Sequence, residues 1–232
     1  RGFIKTGLGK RIAYNLISAF GSSSLRLAYA LALSDLILAP ATPSNTARVG
    51  GVIMPITTSL AKAFGSEPQD GPRKIGSFLM QSIYQVNTIT SAMFQTSMAG
   101  NTLVAALALQ SFGIGITWGD WAMAAIVPGI IALIIMPYFI YKVYPPEIKD
   151  AREAQQMIRE ELKGLGKISF QEWVMLGVFI LALVLWATSQ FTKLDATTVA
   201  FLGISILLAT SVLIWDDVKS EKGAWDTLVW MG

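Results

Sequence analysis

Residues 40–51 read Pro-Ala-Thr-Pro-Ser-Asn-Thr-Ala-Arg-Val-Gly-Gly and interrupt a long apolar stretch with two prolines, four hydroxyl or amide side chains and one charge. Hydrocarbon cannot satisfy exposed peptide N–H and C=O groups, so a broken polar loop at membrane depth has to be buried in protein or line a cavity. Residues 23–39 before it form an apolar helix carrying Arg26 and Asp35, and a second helix runs from about Thr46 to Phe64. Each arm lies at the short end of the roughly 20 residues that a membrane crossing needs. Two such arms with a polar tip are either two spans or one re-entrant hairpin.

Composition sets the environment. Of 232 residues, 53% are hydrophobic and only 14% are charged, against roughly 25% charged in soluble domains. That deficit describes an all-α, polytopic membrane protein. The formal charge of +3 is too small to suggest a nucleic-acid partner, and no basic run is interleaved with aromatics as a single-strand groove requires. The chain has no cysteine and no histidine, so disulfides, His-based triads and zinc or copper sites are excluded from this stretch. It begins at Arg1 and ends in an apolar segment, Trp225 to Gly232, that has barely begun; it reads as a piece of a longer protein.

Hydropathy then divides the chain. Residues 1–20 carry Arg1, Lys5, Lys10 and Arg11 among Leu8, Ile12, Leu16 and Ile17, the pattern of a basic amphipathic helix lying on the cytoplasmic membrane surface against lipid headgroups. The hairpin occupies 21–64, with its tip at Ser-Asn-Thr. Residues 65–74 are a hydrophilic turn. The segment 75–112 is an interrupted transmembrane helix, long but rich in Gln, Asn, Ser and Thr, broken at Ser97-Met98-Ala99-Gly100-Asn101. Its polar face has to look into the protein or a wet cavity. Residues 121–144 hold a conventional span, 145–169 a charged surface helix and loop with i,i+4 pairing, and 170–232 two more spans (173–191 and 196–215) with the beginning of a third. Tryptophan or tyrosine near several ends (Trp118, Trp121, Tyr141, Tyr144, Trp173, Trp215) suits an interfacial belt.

Lys142, Lys149, Arg152, Arg159, Lys163 and Lys167 place the 142–169 loop in the cytoplasm. Threading outward from there puts residues 65–74 inside as well. With residues 1–20 also cytoplasmic, both ends of the 23–64 segment share one side, and the short arms are read as a re-entrant hairpin.

Two sets of residues could carry chemistry. Ser44, Asn45 and Thr46 open the second arm, where N-cap side chains, free N–H groups and the positive helix end favour an anion. The same side-chain oxygens, with freed carbonyls, are hard ligands of the kind sodium takes. Ser97 to Asn101 repeats the logic: Gly100 and carbonyls around Met98 and Ala99 could complete a sodium site, with Asn101 capping the next half-helix. Arg48 has two readings, a positive potential for an anionic substrate or an ion pair with Asp35 that pins the arms; a charge this deep costs on the order of 3 kcal/mol unless it has a partner or a function. Broken half-helices of this kind build the sites of secondary transporters. A membrane subunit in which the polar loop is purely architectural is the alternative from another class. No phosphate loop, carboxylate dyad or activated nucleophile suggests an enzyme.

Pro-Ser-Asn-Thr-Ala-Arg-Val-Gly-Gly-Val-Ile-Met-Pro-Ile at 43–56 resembles the first hairpin of the divalent anion:sodium symporter family. It is most similar to the branch of bacterial citrate/succinate and tartrate/succinate antiporters and plastid 2-oxoglutarate/malate translocators. Leu-Asp-Ala-Thr-Thr-Val-Ala at 194–200 and the stretch from Trp215-Asp-Asp-Val to Gly223-Ala-Trp-Asp-Thr-Leu-Val-Trp at 215–230 are similar to the same branch. The resemblance implies an inverted-repeat transporter fold, in which each repeat carries a hairpin tipped by Ser-Asn-Thr, working as a homodimer in the bacterial inner (plasma) membrane by an elevator motion. It implies that Ser44, Asn45 and Thr46 form the first-repeat substrate and sodium motif, and that Gly100 lies near the first sodium. Sodium-coupled members carry a Gly-Thr-Pro-type sequence at that loop, whereas Met98-Ala99-Gly100-Asn101 stands here, a departure that resembles the exchangers. The expected activity is antiport of di- or tricarboxylates, with sodium-coupled symport as the alternative. Ser44, Asn45, Thr46 and Arg48 are the expected substrate ligands, Ser44, Asn45 and Gly100 the sodium ligands, and no other cofactor is implied.

Overall fold

A computed structural model describes residues 1–231. Among them the chain is helical, and the only β pairing is an isolated antiparallel bridge between Ser23 and Asp150. Three helices are long and apolar enough to cross a membrane: Ser24–Ala41, Trp118–Val143 and Phe170–Ala187.

The basic N-terminal segment is two helices rather than one. Gly7 adopts φ 79°, which L side chains avoid, and separates α1 (Gly2–Thr6) from α2 (Leu8–Phe20). Nor does α2 lie free on lipid, because Leu8, Arg11, Tyr14 and Ile17 are buried against the protein. Arg11 is closed in by the Glu172 carboxylate at 2.5 Å and by the Gly166 carbonyl at 3.0 Å.

The first hairpin arm is α3 (Ser24–Leu38), capped by Ser23 and extended by a 3-10 turn over Ala39–Ala41. At 15 residues α3 alone is about 22 Å long, and with the 3-10 turn the arm approaches the roughly 30 Å of a hydrocarbon core. The return arm begins as α4 (Asn45–Arg48), passes through a π turn at Val49–Ile53 and continues as α5 (Met54–Ala63). Gly51 sits in that turn because a Cβ there would lie 2.3 Å from the Ile4 side chain of α1. The close approach at Gly51 is made by a side chain, whereas Gly50 has open space around it.

The interrupted helix is α6 (Gly76–Met93), a break in which extended Phe94 and Met98 flank a 3-10 turn at Gln95–Ser97, and α7 (Ala99–Phe112). The break falls slightly earlier than expected, so Asn101 is inside α7 and does not cap it. Its amide instead donates backwards to the Ser91 and Phe94 carbonyls at 2.7 and 2.9 Å. These are acceptors at the end of α6, and Ser97 Oγ lies 2.7 Å from each, able to give its single proton to either.

The remaining elements are α8 (Trp118–Val143), α9 (Arg152–Gly164), α10 (Phe170–Ala187), α11 (Ser189–Thr192), α12 (Ala196–Ala209), α13 (Trp215–Lys219) and α14 (Lys222–Met231). Two expectations change here. The span expected over 196–215 ends at Ala209, with Ser211 at φ 57° turning the chain. The charges of α9 reach other elements instead of pairing along the helix: Arg159 donates to the Ser18 carbonyl and Glu161 faces Lys10 at 3.8 Å. Gly232, at the end of the expected third span, lies outside the described residues.

The basic segments gather at one end of the molecule. Residues 147–151 hydrogen-bond on one side to Arg73 and Lys74, below α5, and on the other to Ser22 and Ser24, at the root of α3. One backbone strap therefore holds the open end of the hairpin. Two full spans would also bring both ends together. What marks this hairpin is where its tip stops, against the break between α6 and α7.

Candidate functional site

The tip is shaped by its prolines. Pro43 disfavours helix at the residue before it, and Thr42 is extended at φ −125°, ψ 92°, its hydroxyl bonding back to the Leu38 carbonyl at 2.9 Å. Ser44, also extended, caps the return arm by accepting the Ala47 N–H at 3.2 Å. Asn45 Oδ1 accepts the Thr46 N–H at 2.9 Å. Ser44 and Thr46 are exposed and Asn45 is half-buried, so all three can reach a ligand.

Arg48 cannot. Its side chain is 0% exposed and that of Asp35 is 2%. Arg48 Nε donates to Asp35 Oδ1 at 2.9 Å; Nη1 donates to the Thr42 and Ser97 carbonyls at 3.1 and 3.2 Å; Nη2 donates to Thr90 Oγ1 and Ser91 Oγ at 3.2 and 3.0 Å. All five guanidinium protons are committed to protein. Asp35 Oδ2 takes the Thr90 hydroxyl, with Asn87 at 3.5 Å. Of the two readings of Arg48, this geometry is the pin, and the expectation of a direct substrate contact is corrected. A buried pair is tolerable only when its remaining donors and acceptors are satisfied, and α6 supplies what is needed. Its polar residues at Thr90 and Ser91 therefore serve the ion pair rather than a wet cavity.

Gly100 lies in the first turn of α7, half-buried, with Met98 Cε 3.3 Å from where a Cβ would stand. The tip meets the break through Arg48–Ser97 and through Thr96, whose hydroxyl donates to the Pro40 carbonyl at 2.5 Å. A cavity of about 340 Å³ separates Pro43, Met98 and Ala99 from apolar side chains of α10 and α12. A second, of about 480 Å³, lies on the Ala47 side of the tip. Neither is lined by Ser44, Asn45, Thr46 or Gly100. Neither of these two cavities brings the expected sodium ligands Ser44, Asn45 and Gly100 together.

Residues with no local sequence signature complete the surroundings. Thr90, Ser91 and Thr96 are buried around the tip with Ser97 of the expected break, and nothing distinguishes those three from the other Ser and Thr of the segment. Trp118, assigned above to the interfacial belt, is 9% exposed and stacks between Phe94 and Trp186. It belongs to the core.

A polar-tipped helical hairpin, pinned through a buried ion pair to an interrupted helix among apolar spans, is the build of a polytopic membrane transporter. The chain belongs to the family described as the sodium:sulfate symporter transmembrane region, which matches residues 1–232. It is 54% identical over 99% of its length to a putative malate transporter of Bacillus subtilis, covering 48% of that protein. It is 47% identical over 99% of its length to an inner membrane protein of Escherichia coli, covering 48% of it. To the chloroplastic dicarboxylate transporter 1 of Spinacia oleracea it is again 47% identical over 99% of its length, covering 41%. The chain thus spans about half the length, or somewhat less, of the curated relatives it matches. The family is described as one of symporters, and two of these three relatives are named as transporters rather than enzymes.

Proposed function

We propose that this chain supplies the first hairpin and broken helix of a secondary transporter that exchanges di- or tricarboxylates across the bacterial inner membrane, as a homodimer in its full-length form. The observation that carries the reading is the division of labour at the tip. Ser44, Asn45 and Thr46 present hydroxyl and amide groups at the accessible start of the return arm, while the charges of Asp35 and Arg48 are sealed behind them. A carboxylate would be met by neutral donors and the helix end, which bind without trapping it. The relatives named as malate and dicarboxylate transporters support the substrate class.

Antiport is favoured over sodium symport by the break itself. A carbonyl that could coordinate sodium, that of Ser97, already accepts from Arg48 at 3.2 Å. The test uses full-length protein in proteoliposomes. Labelled malate should enter only when a dicarboxylate is inside, with or without sodium; uptake into empty vesicles driven by a sodium gradient would overturn antiport.

A further inference from the structure

The tip loop is tied at both ends to the same short 3-10 turn, Gln95–Ser97. Arg48, after the loop, donates to the carbonyl of Ser97; Thr96, the residue before Ser97, donates to the carbonyl of Pro40, which precedes the loop. Ser44, Asn45 and Thr46 hang between these two anchors.

The Thr96 anchor has a fixed direction. Trp118 Nε1 is 2.9 Å from Thr96 Oγ1, and an indole N–H can only donate. The hydroxyl therefore accepts from Trp118 and must place its own proton elsewhere; the Pro40 carbonyl, 2.5 Å away, receives it. Trp118 is held in turn. Its ring stacks on Phe94 at 5.7 Å and on Trp186 of α10 at 6.2 Å, both at 16° between planes. It is also the first residue of α8, whose start is fixed by reciprocal bonds between Thr117 and Asp120. Thr96 and Trp118 are 7% and 9% exposed, so the relay works where water competes little and a missing partner is costly.

We propose that Thr96 is a positioning residue for substrate binding: through the relay Trp118–Thr96–Pro40 it holds the Ser44-Asn45-Thr46 tip against the broken helix. This rests on the reading of the tip as the carboxylate site. The Asp35–Arg48 pair already joins the two arms, so the relay is not what keeps the hairpin folded. Releasing it frees only the entry to the loop, and substrate then has to order a mobile tip, which weakens binding while leaving later steps unchanged.

The experiment compares variants of the full-length protein by malate exchange in proteoliposomes and by hydrogen–deuterium exchange. Thr96→Val keeps the shape and removes the hydroxyl. It should raise KM about tenfold, leave Vmax per folded transporter within about twofold, and speed exchange of the 40–47 backbone about tenfold. Thr96→Ser should return both quantities to wild type. An unchanged KM with unchanged 40–47 exchange in Thr96→Val, or a Thr96→Ser variant as impaired as Thr96→Val, overturns the proposal. If Thr96→Val does not accumulate, Trp118→Phe decides, because it keeps an aromatic ring between Phe94 and Trp186 and removes the indole donor. A KM raised about threefold supports the relay, and an unchanged KM overturns it. Wild-type protein that moves no dicarboxylate would defeat the carboxylate reading instead, and the exchange rates of residues 40–47 would still decide whether Thr96 holds the tip.

Discussion

Asn45 and Arg48 stand three positions apart and differ in every respect that matters for a ligand. Asn45 is half-open at the loop; Arg48 is enclosed, with each proton committed. Asn45→Ala should therefore cut carboxylate exchange at least about tenfold, the scale of a lost hydrogen bond to a charged group, with expression and melting temperature unchanged; unaffected uptake would remove Asn45 from the site. Asp35→Ala should do the reverse, harming the fold first. It leaves Arg48 buried without its counter-charge, which typically costs about 3–5 kcal/mol, read as a large drop in melting temperature in detergent. The double change Asp35→Leu with Arg48→Met should be milder than Asp35→Ala alone, since it leaves no charge behind. Opposite charges on the two arms were legible in the sequence, as was the polar tip. Which way Arg48 turns was not, because that depends on Thr90 and Ser91 arriving from a different helix.

At the scale of elements, hydropathy located the helices and misjudged what their polar residues are for. The polar face of α6 suggested a wet cavity; Thr90, Ser91 and the break instead satisfy an ion pair and the carbonyls at the end of α6. Likewise α9 suggested pairing along its own length, but its charges hold α2. Periodicity reports which residues share a face and not what that face meets. A pH test belongs here. Asp217 ties α13 to α1, accepting the Ile214 N–H at 2.9 Å and the Lys5 ammonium at 2.5 Å, and these bonds hold its carboxyl below the usual range. Because the folded value is lower than the unfolded one, the contribution is complete above about pH 4 and fades as pH falls through the lowered folded value. Backbone exchange over 214–219, corrected for its intrinsic pH dependence, should be flat from about pH 5 to 8 and accelerate only in acid. Loosening in the neutral range would contradict the assignment.

For the whole molecule, the basic loops converge on one end, where the strap 147–151 bonds to both roots of the hairpin. The charge-based orientation and this clustering make a joint prediction. Because the chain has no cysteine, Lys149→Cys and Lys193→Cys in an otherwise cysteine-free full-length protein report sidedness cleanly. An impermeant maleimide should label position 193 in intact cells and position 149 only after the membrane is opened; equal labelling of both in intact cells would refute the orientation.

The sequence by itself determined that this is a helical membrane protein with a polar-tipped hairpin and a broken helix, because the cost of unpaired backbone in hydrocarbon leaves few other ways to place Pro, Gly, Ser and Asn among apolar arms. Its motifs were specific enough to reach the family. Only the tertiary structure decided that Arg48 is a sealed pin, that Trp118 is core, and that Thr96 holds the tip. Each of those depends on groups far apart in sequence meeting at hydrogen-bond distance. Such a meeting is set by how helices cross, which no local pattern records.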